Sequence, residues 1–294
     1  MILVIGLGRM GRAVADILEA WGYNVEGVDT LAEAKGMKPA TVFACVPYHA
    51  VMAVAEYAAT IGADYTDLTE DVGVRDAIEV MGSKALVISG SGLAPGYINM
   101  VAGRLHRLTA NPRSVEMFCG ALPQDPYCNA YGYQVSWSAS GLVRECTAPC
   151  EIKVHGDVVS HPAMQGLQQV AFTGWPAMEA FYTSGGAGTT PHTLTARTVT
   201  YKTLRYPGHR DWFAPLLRRP DPEAAVTEAC GPLTGDDIVY LAVRVRGESG
   251  DLLHTERILP CDGYTAIQYA TAMGAIRVWE AAIDRTGFVR PEQL

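Results

Sequence analysis

A short apolar run, Met1 to Ile5, leads directly into Gly6-Leu7-Gly8-Arg9-Met10-Gly11. No other feature of the chain limits its fold as much. The run has the unbroken texture of a strand buried on both faces. After the glycines, Ala13, Val14, Ile17, Leu18 and Trp21 recur at helical spacing, and Gly22 ends that helix. Tyr23 to Val28 reads as a second strand, closed by Asp29. Strand, glycine turn, helix, strand and acid follow one another as in a dinucleotide-binding unit. Gly6 permits the tight turn, Gly8 clears the approach of a pyrophosphate, and Gly11 lets helix and strand pack closely. Arg9 and Met10 open the helix, whose free N–H groups suit phosphate. Asp29 lies 18 positions beyond Gly11, where a carboxylate can accept from both ribose hydroxyls. It would repel a 2′-phosphate, and no Arg or Lys follows at once, so NAD is expected rather than NADP. Arg9 is the cation that argues the other way.

The alternation continues. Thr41 to Pro47 reads as a buried strand, Ala50 to Ala59 as a helix, Asp64 to Leu68 as a strand, Val72 to Met81 as a helix and Ala85 to Ile88 as a strand. That rhythm implies a doubly wound parallel sheet of the Rossmann type. Only eleven residues, Thr30 to Ala40, separate Asp29 from the next strand. This is too few for a helix, a strand and a second helix. The sheet should therefore be trimmed at its adenine-side edge, leaving Tyr23–Val28 outermost. Ligands of such sheets lie at the carboxyl ends of the strands. Cys45, Val46 and Pro47 should sit there beside the nicotinamide ribose, as should Asp67 to Asp71 and the loop Gly90 to Gly96.

From about Asn111 the texture changes. Val115–Gly120, Tyr131–Ser136, Glu151–Val154 and Asp157–Ser160 read as short strands. Asp237–Arg246 and Leu252–Leu259 read as an antiparallel pair around Gly247-Glu248-Ser249-Gly250. Thr265 to Ile283 is alanine-rich and helical. The expected organisation is a nucleotide domain of residues 1–98 and 264–294 around an α+β domain of 99–263. The inserted domain should carry a mixed, largely antiparallel sheet for substrate binding and dimerisation. Ser184 to Thr190 lacks the Lys-Ser/Thr ending of a P-loop and reads as a flexible loop, a candidate lid.

Charge excludes some partners. Asp and Glu number 31 against 23 Lys and Arg, a net charge of −8. An acidic chain is poorly suited to neutralising phosphates of nucleic acid or to docking on anionic lipid. The longest weakly polar stretch, Thr41 to Ile61, contains Pro47, His49 and Glu56 and reads as a buried strand and helix, not the about 20 apolar residues of a membrane helix; Met1 to Ile5 is too short and lacks the basic start expected of a signal peptide. Seven scattered cysteines fit a reduced cytoplasmic chain. Neither they nor the seven histidines show metal-ligand spacing.

Several motifs are more specific. They are Cys45-Val46-Pro47, Asp67-Leu68-Thr69-Glu70-Asp71, Gly90 to Gly96 with Asn99, and Ser136-Trp137-Ser138 with Gly141-Leu142. Further along come Glu179 to Thr183, Thr203-Leu204-Arg205-Tyr206-Pro207-Gly208-His209, and Gly263 to Ala266. With the glycine turn, and in this order, the chain resembles the saccharopine dehydrogenase-like oxidoreductases, most of all the lysine 6-dehydrogenase type. Two departures stand out: the trimmed nucleotide domain, and Ala94 where the family's glycine loop has aspartate before its proline.

The resemblance implies NAD-dependent oxidative deamination of an amino-acid side-chain amine, by a homodimer acting on a small amino acid or amine. It implies His209 and Tyr206 for proton transfer, since an imidazole titrates near neutrality. It implies Arg205 as a carboxylate clamp, Glu179 and Asp71 as receivers of an ammonium, and Trp137 as a wall. Each has a structural role open to it as well. Arg205 can pair inside its domain, Tyr206-Pro207-Gly208 can be only a turn, and His209 can cap a helix through Leu217. Two other functions remain open: a reductase or dehydrogenase making or cleaving a saccharopine-type secondary amine, and a non-catalytic dinucleotide-binding redox sensor.

Overall fold

The computed structural model describes all 294 residues, Met1–Leu294. They form two compact units: Met1–Arg104 with Gln268–Leu294, and Leu105–Ile267. The chain opens with β1 (Ile2–Ile5), α1 (Arg9–Ala20), β2 (Val25–Val28), β3 (Thr41–Ala44), α2 (Tyr48–Ile61) and β4 (Asp64–Asp67). α3 (Val72–Met81), β5 (Leu86–Ile88), α4 (Tyr97–Leu108), β6 (Ser114–Pro123) and α5 (Ala139–Thr147) follow. Then come β7 (Cys150–Val154), β8 (Asp157–His161), β9 (Gln168–Val170), β10 (Met178–Tyr182), α6 (Thr190–Thr193) and β11 (Thr198–Arg205). The chain ends with α7 (His209–Phe213), α8 (Pro222–Cys230), β12 (Asp237–Gly247), β13 (Gly250–Ile258), α9 (Ala266–Ala282) and β14 (Gly287–Phe288).

The first unit is built on a six-stranded sheet of order β14-β5-β4-β3-β1-β2, and every pairing in it is parallel. This is the expected doubly wound sheet, with β2 at its edge. β1 and β3 are buried along their whole length, because helices cover both faces of a parallel sheet. Position explains the more polar β2: at the edge, Glu26 and Gly27 are exposed. The C-terminal segment adds one strand that pattern alone did not show. β14 has two residues and no periodicity of its own, and pairs with Leu86 and Val87. α9 joins this unit through Trp279, which meets Phe43 and Tyr23 edge-on. Earlier in the same helix Gly274 packs closely on the Gly90–Gly96 loop, where a Cβ would fall 3.0 Å from the Gly92 carbonyl.

The second unit carries an eight-stranded sheet with the path β13-β12-β6-β11-β10-β9, and β7 and β8 attached through β11. Only β6 and β11 run parallel; the remaining pairs are antiparallel. Its core packs Phe118, Leu204 and Ala242 of the sheet against Leu142 of α5, Phe213 of α7 and Val226 of α8.

Two expectations need correction, and two strands had given no sign of themselves. Tyr131 to Ser136 is no strand: its sole ladder contact is a bridge from Val135 to Pro232, and Asn129 ties it down with side-chain bonds to Tyr131 and Tyr133. β10 and β11 carry no strand pattern in the sequence, because their charged and hydroxyl residues hide the alternation, although both are buried. The segment 184–190 is not an exposed flexible loop. Gly186, Ala187, Thr189 and Thr190 are buried, and a Cβ on Gly186 would fall 2.2 Å from the Tyr201 ring. No helix is long and apolar enough to cross a membrane.

Candidate active site

In the first unit the glycine turn has the geometry a phosphate cradle requires. Gly6 adopts φ +96°, and a Cβ there would press within 2.6 Å of the Cys45 carbonyl. A Cβ on Gly11 would lie 1.9 Å from the Gly6 carbonyl, so helix and turn touch backbone to backbone. Gly8 is different. It is exposed, a Cβ there would meet nothing within 4 Å, and it is the N-cap of α1 with no side-chain bond. The space in front of it is open, and the first turn of α1, with its unpaired helix-start N–H groups, carries no acidic residue. Arg9 is exposed and Met10 half-buried on that turn. Asp29 is exposed at the end of β2. These residues fit a dinucleotide pyrophosphate and ribose.

At the ends of β3, β4 and β5, Cys45 and Val46 are half-buried and Pro47 is the exposed N-cap of α2. Burial, with Asp67 nearby, pushes the Cys45 thiol up to about 12, so it stays protonated and unreactive. Asp67 itself is buried. One of its oxygens accepts from the N–H groups of Thr69 at 2.8 Å and Gly90 at 3.0 Å. Burial raises its pKa, against the pull of those bonds. The Ser91 hydroxyl donates to the Asp67 carbonyl, and Asn99 accepts from Gly96 N–H at 2.7 Å. The loop Gly90–Gly96, with a cis bond before Pro95, is thus fixed from below by Asp67 and from the side by Asn99. Asp71 is the N-cap of α3, accepting from Val74 N–H at 3.0 Å.

In the second unit the motif ending at His209 surrounds a buried polar cluster. Arg205, only 3% exposed, lies over the Tyr133 ring at 4.6 Å. One terminal nitrogen donates to the Leu204 carbonyl, and its Nε has no partner. Burial opposes its charge, but the surrounding acids, Tyr133 and Glu145 first, hold its pKa above the ordinary value. His209 is 2% exposed, among the rings of Tyr133, Phe181 and Phe213. Its Nδ1 meets the Tyr131 carbonyl at 3.0 Å. A carbonyl can only accept, so Nδ1 carries the proton and Nε2 presents a lone pair, which nothing fills. Burial, and then Arg205, lower the His209 pKa to about 3. Tyr206 donates its hydroxyl to the Pro123 carbonyl at 2.8 Å.

Glu179 is 2% exposed, and both its oxygens are engaged. One accepts from Gly208 N–H at 2.8 Å and the other from Arg210 N–H at 2.6 Å, closing the turn that carries His209. Trp137 is half-buried against the core, so close to α5 that a Cβ on Gly141 would fall 2.5 Å from its ring. The residue that sequence reasoning missed is Glu145. On α5, one oxygen accepts from the hydroxyls of Thr203 at 2.5 Å and Thr183 at 3.0 Å, while the side chain stays partly accessible. Its signal was its place three residues after the buried Leu142, a charge on an otherwise apolar stripe. No group of three or more His, Cys, Asp or Glu residues is arranged to hold a metal.

Comparison with known proteins agrees with this architecture. Residues 92–219 match the family model of the saccharopine dehydrogenase C-terminal domain. The fold is similar to that of apo saccharopine dehydrogenase (L-Glu forming) from Saccharomyces cerevisiae, with TM-score 0.71 and 14% identity over 99% of this chain and 94% of that one. An amine dehydrogenase from Mycobacterium smegmatis aligns with TM-score 0.46 and 11% identity, over 100% and 95% of the two chains. An engineered D-amino acid dehydrogenase bound to NADP+ aligns with TM-score 0.49 and 13% identity, over 99% and 93%. Residues 92–219 are thus similar to the saccharopine dehydrogenase C-terminal domain, and the chain as a whole shares the fold of the yeast enzyme.

Proposed function

We propose that the protein is a nicotinamide-dependent oxidoreductase acting on the amine of an amino acid, with NAD as its cofactor and a lysine-type side-chain amine as its substrate. The first unit is the NAD-binding domain and the second the substrate domain. One observation carries the substrate half of this reading: Arg205 keeps its charge while buried, with its Nε–H unpaired. A buried unpaired donor costs about 1–3 kcal/mol, a cost that a substrate carboxylate would relieve. When bound, the nicotinamide supplies the hydride acceptor that converts the substrate's C–N bond to an imine, from which water releases ammonia.

The pyrophosphate is held by the N–H groups at Arg9, Met10 and Gly11, across the opening at Gly8, and the ribose diol by Asp29. Cys45, Val46, Pro47 and Gly90 border the nicotinamide end. Arg205 binds the substrate carboxylate. Glu145, anchored by two hydroxyls through one oxygen, offers the other to the substrate ammonium and takes its proton. An alkyl ammonium has a pKa near 10.4 and must lose that proton before hydride can leave. His209, with a pKa of about 3, is a poor base near neutrality. Its Nδ1–H bond to the Tyr131 carbonyl and its stacking on Phe213 hold that segment in place, and Tyr206 fixes the turn. Glu179 and Asp71 serve structure, and Trp137 walls the pocket. The active form is a homodimer.

The match of residues 92–219 to the saccharopine dehydrogenase C-terminal domain favours one second reading, the making or cleaving of a secondary amine. That chemistry needs a clamp for each of two carboxylated halves, and Arg205 supplies one. Purified protein, NAD and a panel of L-amino acids, diamines and saccharopine separate the two. Reduced nicotinamide with L-lysine supports the first; a signal with saccharopine alone rejects it.

A further inference from the structure

The turn after β2 contains a second carboxylate in a position of consequence. Glu33 is exposed but fixed. Its Oε2 accepts from the Asp29 N–H at 3.3 Å and its Oε1 from the Thr30 hydroxyl at 2.7 Å. Its own N–H donates to the Thr30 carbonyl at 3.2 Å. A 2′-phosphate bound at the end of this strand would need donors from this turn. The Asp29 N–H and the Thr30 hydroxyl are the donors at hand, and a carboxylate already holds both. Arg9, Lys35 and Lys38 are exposed, and the oxygens of Glu33 are held by the Asp29 N–H and the Thr30 hydroxyl.

We propose that Glu33 is a specificity-determining residue that rejects the 2′-phosphate of NADP, acting beside Asp29 by its charge and by occupying the donors that phosphate would use. This rests on the dinucleotide reading above and deepens it. Thr30-Leu31-Ala32-Glu33 also has the spacing of a capping box, so Glu33 shapes the turn as well. Glu33→Gln separates the two roles, because the amide oxygen can still accept from the Asp29 N–H and the amide NH2 can donate to the Thr30 hydroxyl oxygen, while the charge is gone.

The test uses the full-length protein and isothermal titration with NAD and with NADP, comparing wild type and Glu33→Gln. NAD is expected to bind wild type more tightly than NADP. The substitution should leave the NAD dissociation constant within about twofold and tighten NADP on the order of tenfold, since a unit charge repels a phosphate dianion at contact distance even through water. Raising ionic strength should shrink that gain. An unchanged NADP affinity, or equal weakening of both cofactors, overturns the proposal and leaves Glu33 a turn residue. A wild type that prefers NADP also overturns it. If wild type binds neither nucleotide, the dinucleotide reading itself fails, and the proposal with it.

Discussion

Glu179 separates a structural carboxylate from a substrate-binding one, and the separation can be measured. Its two oxygens accept from Gly208 and Arg210 N–H groups at 2.8 and 2.6 Å, inside a site that leaves it 2% exposed. Bonds to a charged group contribute about 1.5–3 kcal/mol each. Gly208 and Arg210 are only partly buried, so water can recover part of the loss. Glu179→Ala should therefore destabilise the second unit by about 3 kcal/mol, near the lower end of the two-bond sum. At roughly 2–4 °C per kcal/mol for a unit of this size, the melting temperature should fall by about 10 °C. Glu179→Gln keeps one acceptor and turns an NH2 group onto the other donor, so it should cost at least half as much. Urea unfolding and thermal melts measure stability, and NAD titration should be unaffected, since the site proposed for NAD lies in the other unit. Wild-type stability combined with a large rise in the KM for the amine would refute this reasoning and return Glu179 to the substrate.

Other outcomes follow from the same geometry. Gly8→Ala should leave the melting temperature unchanged, because nothing lies within 4 Å of the new methyl, yet weaken NAD more than about tenfold by filling the phosphate approach. Gly11→Ala should instead destabilise the first unit, since its methyl would lie 1.9 Å from the Gly6 carbonyl. His209 makes stability depend on pH. Its folded pKa of about 3 lies below an unfolded value near 6.5, so the unfolded chain binds the extra proton. Stability should fall by about 1.4 kcal/mol per pH unit as pH drops below about 6.5. A series of urea midpoints should show that slope lessened in His209→Gln. Glu145→Gln should lower kcat for the amine by at least about a hundredfold with NAD affinity intact; an unchanged kcat removes Glu145 from the proton path.

The parallel-sheet unit was legible because its signals are local. Backbone geometry forces glycine at Gly6 and Gly11, and the helix and strand periods stand on either side. Even the exposed β2 was readable, from the shortness of the segment 30–40. The second unit was less so. β10 and β11 mix Glu179, Lys202, Thr203 and Arg205 into buried strands, and burial of such groups depends on partners distant in sequence. Arg205 and His209 were visible as residue types within a motif, but not their environment. Whether an imidazole is a base or a buried neutral ring depends on Tyr131, Phe181 and Phe213, which no spacing rule connects to it. The environments of Glu179, expected at the substrate, and of Glu145, not singled out at all, were hidden for the same reason. The hydrogen bonds that distinguish them run to Gly208 and Arg210 in one case and to Thr183 and Thr203 in the other.

The most direct measurement follows reduced nicotinamide and free ammonia together in one reaction of purified protein, NAD and a lysine-type amine. Amine oxidation predicts that the two appear at equal rates, with the rate lost in Arg205→Met while NAD still binds. Saturable NAD binding with neither product would contradict the account and leave a dinucleotide-binding sensor.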